Sequence, residues 1–504
     1  MSTPAIIACI IFGLAMLATI GIGIWSGRGR ERSLAEWSVS GRGLGFVFIL
    51  LLMAGETYTS FSFLGTAGWS YSYGVPILYL IGYLSIGLVV AYLVGPLFWT
   101  YAARHKLVSL SDIVEHRFRS RGLAILVAVL ATIFIVPYIQ LQIQGMGAVV
   151  NAMSYGAIDL KVAAIVSFSG AEACIRCSGL RGAAWGSGLQ DGLVILAVAF
   201  LAIYVPLHYF DGLAPLLDRV VSEKSQWLTF PGAGDGIYGG AWFISTIILN
   251  GITITVFPTS IAGYLSGTSA NALRRNSIIL PWYQLLLLVP MMVGVAALFV
   301  VPALKDADLA LFSVVIDSLP APIVAIIGVA GALSAIVPMS VYMLSIGSMW
   351  GRTVLGGGLA GPKHAASMTS EQLNARGLRQ KTLSQWVCLA VGIIALIMSL
   401  LMPDALVELS VLSYEGLAQV VPAALLSLYW PRMSKQAAAA GLIVGSVVMV
   451  ALHYTGLDPL LGINGGLWSV AANLIVVVIV TLVKPDPRWA PKAQRQARTE
   501  AAAL

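Results

Sequence analysis

The chain has 504 residues, of which 58% are apolar and only 10% charged, with a mean hydropathy of +0.89. A water-exposed surface of that size calls for about 25% charged residues, so lipid must solvate much of it. The formal charge of +7 does not mark a nucleic-acid surface, because the basic residues fall in short clusters between apolar runs, which is a membrane topology signal.

A spanning helix needs about 20 mostly apolar residues. Thirteen runs qualify: 4–24, 45–66, 76–102, 121–150, 160–177, 186–207, 242–266, 277–301, 319–350, 383–403, 409–430, 437–456 and 464–483. The first lacks preceding basic residues and a following small-residue cleavage site, so it reads as a retained helix rather than a signal peptide. The second carries Ala54-Gly55-Glu56-Thr57-Tyr58-Thr59-Ser60, polar and glycine-containing in mid-span. Glu56 is the only carboxylate near the middle of a long apolar run. Ionised burial is costly, so Glu56 is expected to be protonated, paired or facing water, or to hydrogen-bond a broken backbone.

The fourth run holds Pro137-Tyr138-Ile139-Gln140-Leu141-Gln142-Ile143-Gln144. Tyr138 and Gln142 share one face and Gln140 and Gln144 another. At least one face lines a cavity or a helix contact. The fifth run is the weakest, with Glu172 and Arg176 near its end, and Cys174 and Cys177 have redox or zinc spacing. No second cysteine pair or histidine cluster accompanies them, and the four cysteines (Cys9, Cys174, Cys177, Cys388) read as structural or incidental. Asp191 and Glu415 sit nearer helix ends, where a solvated carboxylate is ordinary.

In the seventh run, Thr253-Ile254-Thr255-Val256-Phe257-Pro258-Thr259-Ser260 puts a proline inside an apolar helix. Glycine and proline are common in membrane helices, but these two interruptions lie five runs apart and so cross the bilayer in opposite senses. A five-plus-five inverted repeat requires that relation, and such transporters bind their solute where helices break. The ninth run contains Ser334, Pro338, Ser340 and Ser345.

Of the 29 Lys and Arg residues, twenty-five fall on one side of the expected topology, among them Arg28, Arg30, Arg32, Arg42 and the segments 104–121 and 352–381. Lys161, Arg219, Lys224 and Lys305 fall on the other. The excess predicts a cytoplasmic C-terminus and an external N-terminus in the cell (inner) membrane. Residues 1–483 form a single transporter domain, 351–382 a flexible connection and 484–504 a short, charged, disordered cytoplasmic tail.

Taken together, several segments resemble the sodium:solute symporter family, on the branch of bacterial monocarboxylate permeases. They are Ala54 to Thr59 with Phe63-Leu64-Gly65; Pro137-Tyr138 with Gln142 and Gly145-Met146; Ser178-Gly179-Leu180-Arg181-Gly182; Phe257-Pro258; Arg274-Arg275-Asn276 with Leu280-Pro281; and Val337-Pro338-Met339-Ser340. The resemblance implies an all-α membrane protein of LeuT type. One leading helix is followed by ten core helices in two inverted repeats (helices 2–6 and 7–11) and two trailing helices. It also implies a sodium ion on the Gly55, Tyr58 and Ser334 carbonyls and on two hydroxyls. Those hydroxyl positions fall on Val337 and Pro338, which have no side-chain oxygen, so a proton on Glu56 competes with Na⁺ as coupling ion and Ser340 or Glu56 would have to compensate.

The expected function is symport of a small monocarboxylate or amino acid, with Na⁺ or H⁺ and no other cofactor. Gly55, Glu56, Thr57, Tyr58, Thr59, Tyr138, Gln142, Phe257, Pro258, Thr259 and Gln419 are the candidate solute contacts. Half-helix N-termini favour an anionic group, while no cationic side chain sits mid-membrane to clamp one. A transporter-like sensor is disfavoured because the sequence ends soon after its last run, and an uncoupled facilitator remains the other alternative. HExxH and GxSxG motifs are absent, and His105, His116, His208, His364 and His453 lie in loops or at run ends, so an enzyme is not expected. Partners are the solute and the bilayer, with no nucleic acid; the sequence does not fix an oligomeric state.

Overall fold

Lipid offers no hydrogen bonds, so an apolar run can cross it only by pairing its own N–H and C=O groups, as a helix does. The computed structural model describes residues 2–28, 33–233, 237–359, 367–402 and 406–489, and no strand occurs among the described residues. Ten helices are long and apolar enough to cross a membrane, or up to twelve when each of two bent pairs counts as one span. Arg30, Arg32, Lys363 and the tail beyond Trp489 lie outside the described residues.

Helix α1 spans Thr3–Gly27 and the short α2 Leu34–Val39. The second span is broken, α3 (Phe46–Thr57) meeting α4 (Phe61–Ser72) at 52°. Helices α5 (Val75–His105), α6 (Leu110–Phe118), α7 (Arg121–Met153), α8 (Leu160–Phe210) and α9 (Leu213–Glu223) follow. The seventh span is broken too, with α10 (Gly240–Val256) and α11 (Pro258–Ser266) at 43°. The chain continues with α12 (Ala270–Val300), α13 (Ala307–Ile316), α14 (Ala321–Val354), α15 (Ser370–Leu401), α16 (Leu406–Tyr429), α17 (Lys435–Tyr454) and α18 (Gly465–Val483).

Pro258 explains the second break. It has no N–H for residue 254, and it drives Phe257 out of the helical region to φ −59°, ψ 144°. The first break has no proline; there Ser and Thr side chains compete with the helix for backbone partners. The start of one broken span meets the end of the other: Leu44 N–H donates to Ser266 O (3.1 Å) and Thr268 N–H to Leu44 O (3.1 Å). The two spans therefore run in opposite directions, as the inverted repeat demands.

Two sequence expectations differ from the structure, while α8 keeps the fifth and sixth runs as two helical arms that meet at a kink at Gly179 (φ 60°, ψ −145°). A Cβ at that glycine would strike the Trp37 backbone. Among the described residues, the Ile175–Phe210 part of α8 qualifies as a crossing helix. Residues 370–382 are helical rather than a flexible connection, because Thr369 and Gln372 form a reciprocal cap (3.2 and 2.9 Å) that starts α15 early. The start of the tail is pinned rather than disordered: Asp486 lies 3.7 Å from Arg117, and Arg488 donates to Arg117 O at 3.0 Å.

The basic loops converge on one end of the bundle, where Arg352 pairs with fully buried Asp112 (3.0 Å) and Arg181 with Glu36 (2.8 Å). The other end is closed by Trp69, Tyr73, Tyr238 and Trp242, whose ring centroids lie 4.7 to 5.7 Å apart.

Candidate functional site

A broken span frees backbone groups that must find partners away from lipid. At the α3–α4 junction side chains supply them. Ser60 N–H donates to Gln142 Oε1 (3.1 Å), and Thr57 O accepts from Ser62 Oγ (2.6 Å). Gly55 O and Tyr58 O both accept from Gln190 Nε2 of α8, at 2.8 and 3.0 Å. At the α10–α11 junction Phe257 N–H donates to Ile254 O (3.2 Å), and Pro258 O accepts from Ser345 Oγ of α14 (3.3 Å).

Between the two junctions lies a cavity of about 30 Å³, room for one or two waters. Its polar lining is Glu56 and Thr57 of α3, Ser62 of α4, Ser260 of α11 and Gln284 of α12, with the tyrosines Tyr83, Tyr138, Tyr264, Tyr342 and Tyr414. Met53, Leu84, Leu88 and Ile254 fill the rest of the wall. No lysine or arginine lines it, and Glu56 has no ion-pair partner among the described residues. Phe257 stacks on Tyr414 at 4.6 Å and meets Tyr138 and Tyr342 edge-on at 5.2 and 5.7 Å. On the basic side of this aromatic group a second cavity of about 20 Å³ is bounded by Val108, Pro258 and Ser345. Val108 also borders a vestibule of about 400 Å³ that carries Lys106 and Arg352.

The structure brings Glu56, Thr57 and Tyr138 to the cavity wall. It places the other candidate solute contacts elsewhere. Gly55 and Tyr58 face Gln190, Gln142 holds Ser60, and Thr59 accepts from Ser62 N–H at 3.3 Å. Phe257 belongs to the aromatic group below the cavity, Pro258 to the second cavity, and Thr259 is buried with its hydroxyl unpartnered. Gln419 is buried against α18: its Nε2 donates to Glu415 O (3.1 Å), and its backbone oxygen accepts from Asn473 of α18 (2.9 Å).

Of the cation set, the Gly55 and Tyr58 carbonyls accept from Gln190 as above. The Ser334 and Ser340 hydroxyls donate back to Ala330 O and Ile336 O at 2.8 and 2.7 Å, and Val337 and Pro338 are buried without a side-chain oxygen. Two of the oxygens in the ligand set that the resemblance implies, the hydroxyls at positions 337 and 338, are therefore missing.

Sequence reading missed Gln190 and the ring of tyrosines beyond Tyr138. The adjacent pair Gln190-Asp191 inside an apolar run was a usable signal; the tyrosines gave none. The expectation of solvated ends for Asp191 and Glu415 is overturned, since both are buried. Asp191 accepts from Tyr283 (3.1 Å), and Glu415 lies within 4.8 Å of ligand atoms of His453 and Asp458. Fold-back of the α17–α18 loop onto α16 creates that cluster, which spacing along the chain hides.

Residues 37–445 match the sodium:solute symporter family. The chain is 33% identical over 487 residues to the uncharacterized symporter YhjB of Bacillus subtilis (strain 168), covering 94% of this chain and 96% of that one. A monocarboxylate transport permease protein of Rhizobium johnstonii is 24% identical over 287 residues, 56% of this chain and 57% of its own. Among solved structures, a Na⁺-coupled sialic acid symporter in a substrate-bound outward-open state is similar with a TM-score of 0.74 at 16% identity, covering 96% of this chain and 98% of that one. That likeness extends over both broken spans and identifies the LeuT-type fold. With most of its length matched by the family and a relative of equal extent, the chain belongs to the sodium:solute symporter family.

Proposed function

We propose that this protein is an alternating-access symporter that brings a small carboxylate-bearing solute into the cell together with a cation, and that Glu56 carries that cation as a proton. Family membership supports a co-transported ion and a small-molecule solute. The observation that carries the rest is the cavity between the two broken spans, where one carboxyl group stands among tyrosine and serine hydroxyls with no counter-charge. A carboxylate left ionised in such a place is costly, whereas a protonated one is tolerated and can donate a hydrogen bond. An anionic solute would then enter with its proton, and Ser260, in the first turn of α11, offers the positive end of a half-helix.

At about 30 Å³ the cavity is too small for such a solute, so its walls must part on one side or the other to load and unload. The aromatic group at one end and the Arg352–Asp112 pair at the other are the natural gates. In this reading the chain crosses thirteen times, with the basic end cytoplasmic and the N-terminus outside.

The test is uptake into proteoliposomes over a set of short monocarboxylates and amino acids. For a one-to-one proton symporter, a pH difference of one unit supports about tenfold accumulation. Glu56→Gln is expected to retain solute exchange at equilibrium while losing accumulation driven by the pH gradient. Full accumulation by that variant would remove Glu56 from coupling.

A further inference from the structure

Two carbonyls at the first break, Gly55 O and Tyr58 O, are the oxygens that the family resemblance assigns to a sodium ion. In this chain they already have a partner. Gln190 Nε2 donates to both at once, 2.8 Å to Gly55 and 3.0 Å to Tyr58, from a side chain that is itself fully buried. The amide cannot be turned round: its oxygen in that position would face two carbonyl oxygens with no proton between them. The geometry points to Gln190 as a built-in substitute for the coupling sodium, a tethered donor that occupies the cation's place and makes transport independent of Na⁺ at this locus. This inference rests on the reading of the break as the transport site.

Two features of the surroundings agree. A sodium ion held between an unwound helix and its neighbour needs several hard oxygens converging on one point. The two hydroxyls that would complete such a set are replaced by Val337 and Pro338, so the α14 side is apolar there. The serine hydroxyls on either side of them along α14, Ser334 and Ser340, donate to carbonyls of their own helix. For sodium to enter, both Gln190 hydrogen bonds would have to break and the amide's donors would need new partners.

The substitution changes what a coupling ion does. Sodium can leave, and its departure loosens the unwound span from its neighbour. Gln190 is covalently fixed to α8, so it ties α3 to α8 through every state in which those bonds persist. The driving ion must then act at another group, and the cavity carboxyl of Glu56 is within the same span.

The test reads sodium binding in the full-length purified protein with no solute present, using NaCl against choline chloride at fixed ionic strength and pH. Gln190→Glu exchanges the donor for an acceptor and leaves a carboxylate oxygen among the two carbonyls, a cluster that demands a cation. Gln190→Ala vacates the carbonyls and serves where the glutamate variant does not fold. The wild type is expected to show no saturable binding of radiolabelled sodium and the same melting temperature in both salts. At least one variant should gain saturable binding and a sodium-dependent rise of about 2 °C or more. Saturable sodium binding by the wild type would overturn the inference, and so would two folded variants that both ignore sodium. Because solute is absent throughout, failure here leaves the transport assay untouched, and failure of transport leaves this result intact.

Discussion

The α3–α4 junction stands on a single long-range acceptor, and removing it gives a measurable result. Gln142 is fully buried, and its Oε1 is the partner of the Ser60 N–H at the head of the second half-helix. Gln142→Leu keeps the volume and leaves that N–H unpaired, at a cost of about 1 to 3 kcal/mol. The same substitution removes Gln142 Nε2, which has no partner, and so recovers part of the penalty. A net loss of about 1 to 2 kcal/mol corresponds to roughly five- to thirtyfold faster local opening. Hydrogen–deuterium exchange of the peptide covering residues 58–64 reads this directly. Gln140→Leu is the control: Gln140 donates to Met402 O (2.7 Å) and leaves the junction alone. Equal exchange in the wild type and in Gln142→Leu would refute the claim that this side chain holds the break.

Two further perturbations probe other levels of the structure. Pro258→Ala restores the N–H that proline lacks and lets residue 254 regain its helical partner, so α10 and α11 should straighten from their 43° bend and transport should slow at least severalfold; unchanged kinetics would separate the bend from function. Asp308 sits outside the spanning helices, half-buried beside Asp306, and its carboxyl is pushed up to about 6 by burial first and by that neighbour second. Its folded value lies above its unfolded one, so the native state binds the proton more tightly and stability falls as pH rises from about 4 through about 6. Asp308→Asn keeps an acceptor for Leu406 N–H (3.4 Å) and removes the titration. The variant should match the wild type near pH 4 and exceed it at neutral pH by roughly 2 kcal/mol, read as diverging melting temperatures. Parallel melting curves across that range would count against the assignment.

Both breaks were legible because each violates a local rule in a place where lipid allows no other remedy. Pro258 cannot continue a helix, and a run of Gly55, Thr57, Thr59 and Ser60 has no reason to sit mid-membrane unless the backbone there is irregular. What answers each freed group was not legible, since the partners come from far along the chain. Gln142 and Gln190 lie 82 and 132 residues from the backbone atoms of Ser60 and Tyr58 that they satisfy. A polar side chain in an apolar helix announces that a partner exists without saying whether that partner is protein or cargo. Gln142, a candidate solute contact from its place in the apolar run and from the family resemblance, has its acceptor bound to backbone. The same ambiguity applies to each carboxylate: Asp191 is met by Tyr283 and Glu415 has His453 and Asp458 close by. Among the described carboxylates Glu56 is the one that lines the cavity at the breaks, and a group left facing that space is the one whose partner must arrive and depart with each cycle.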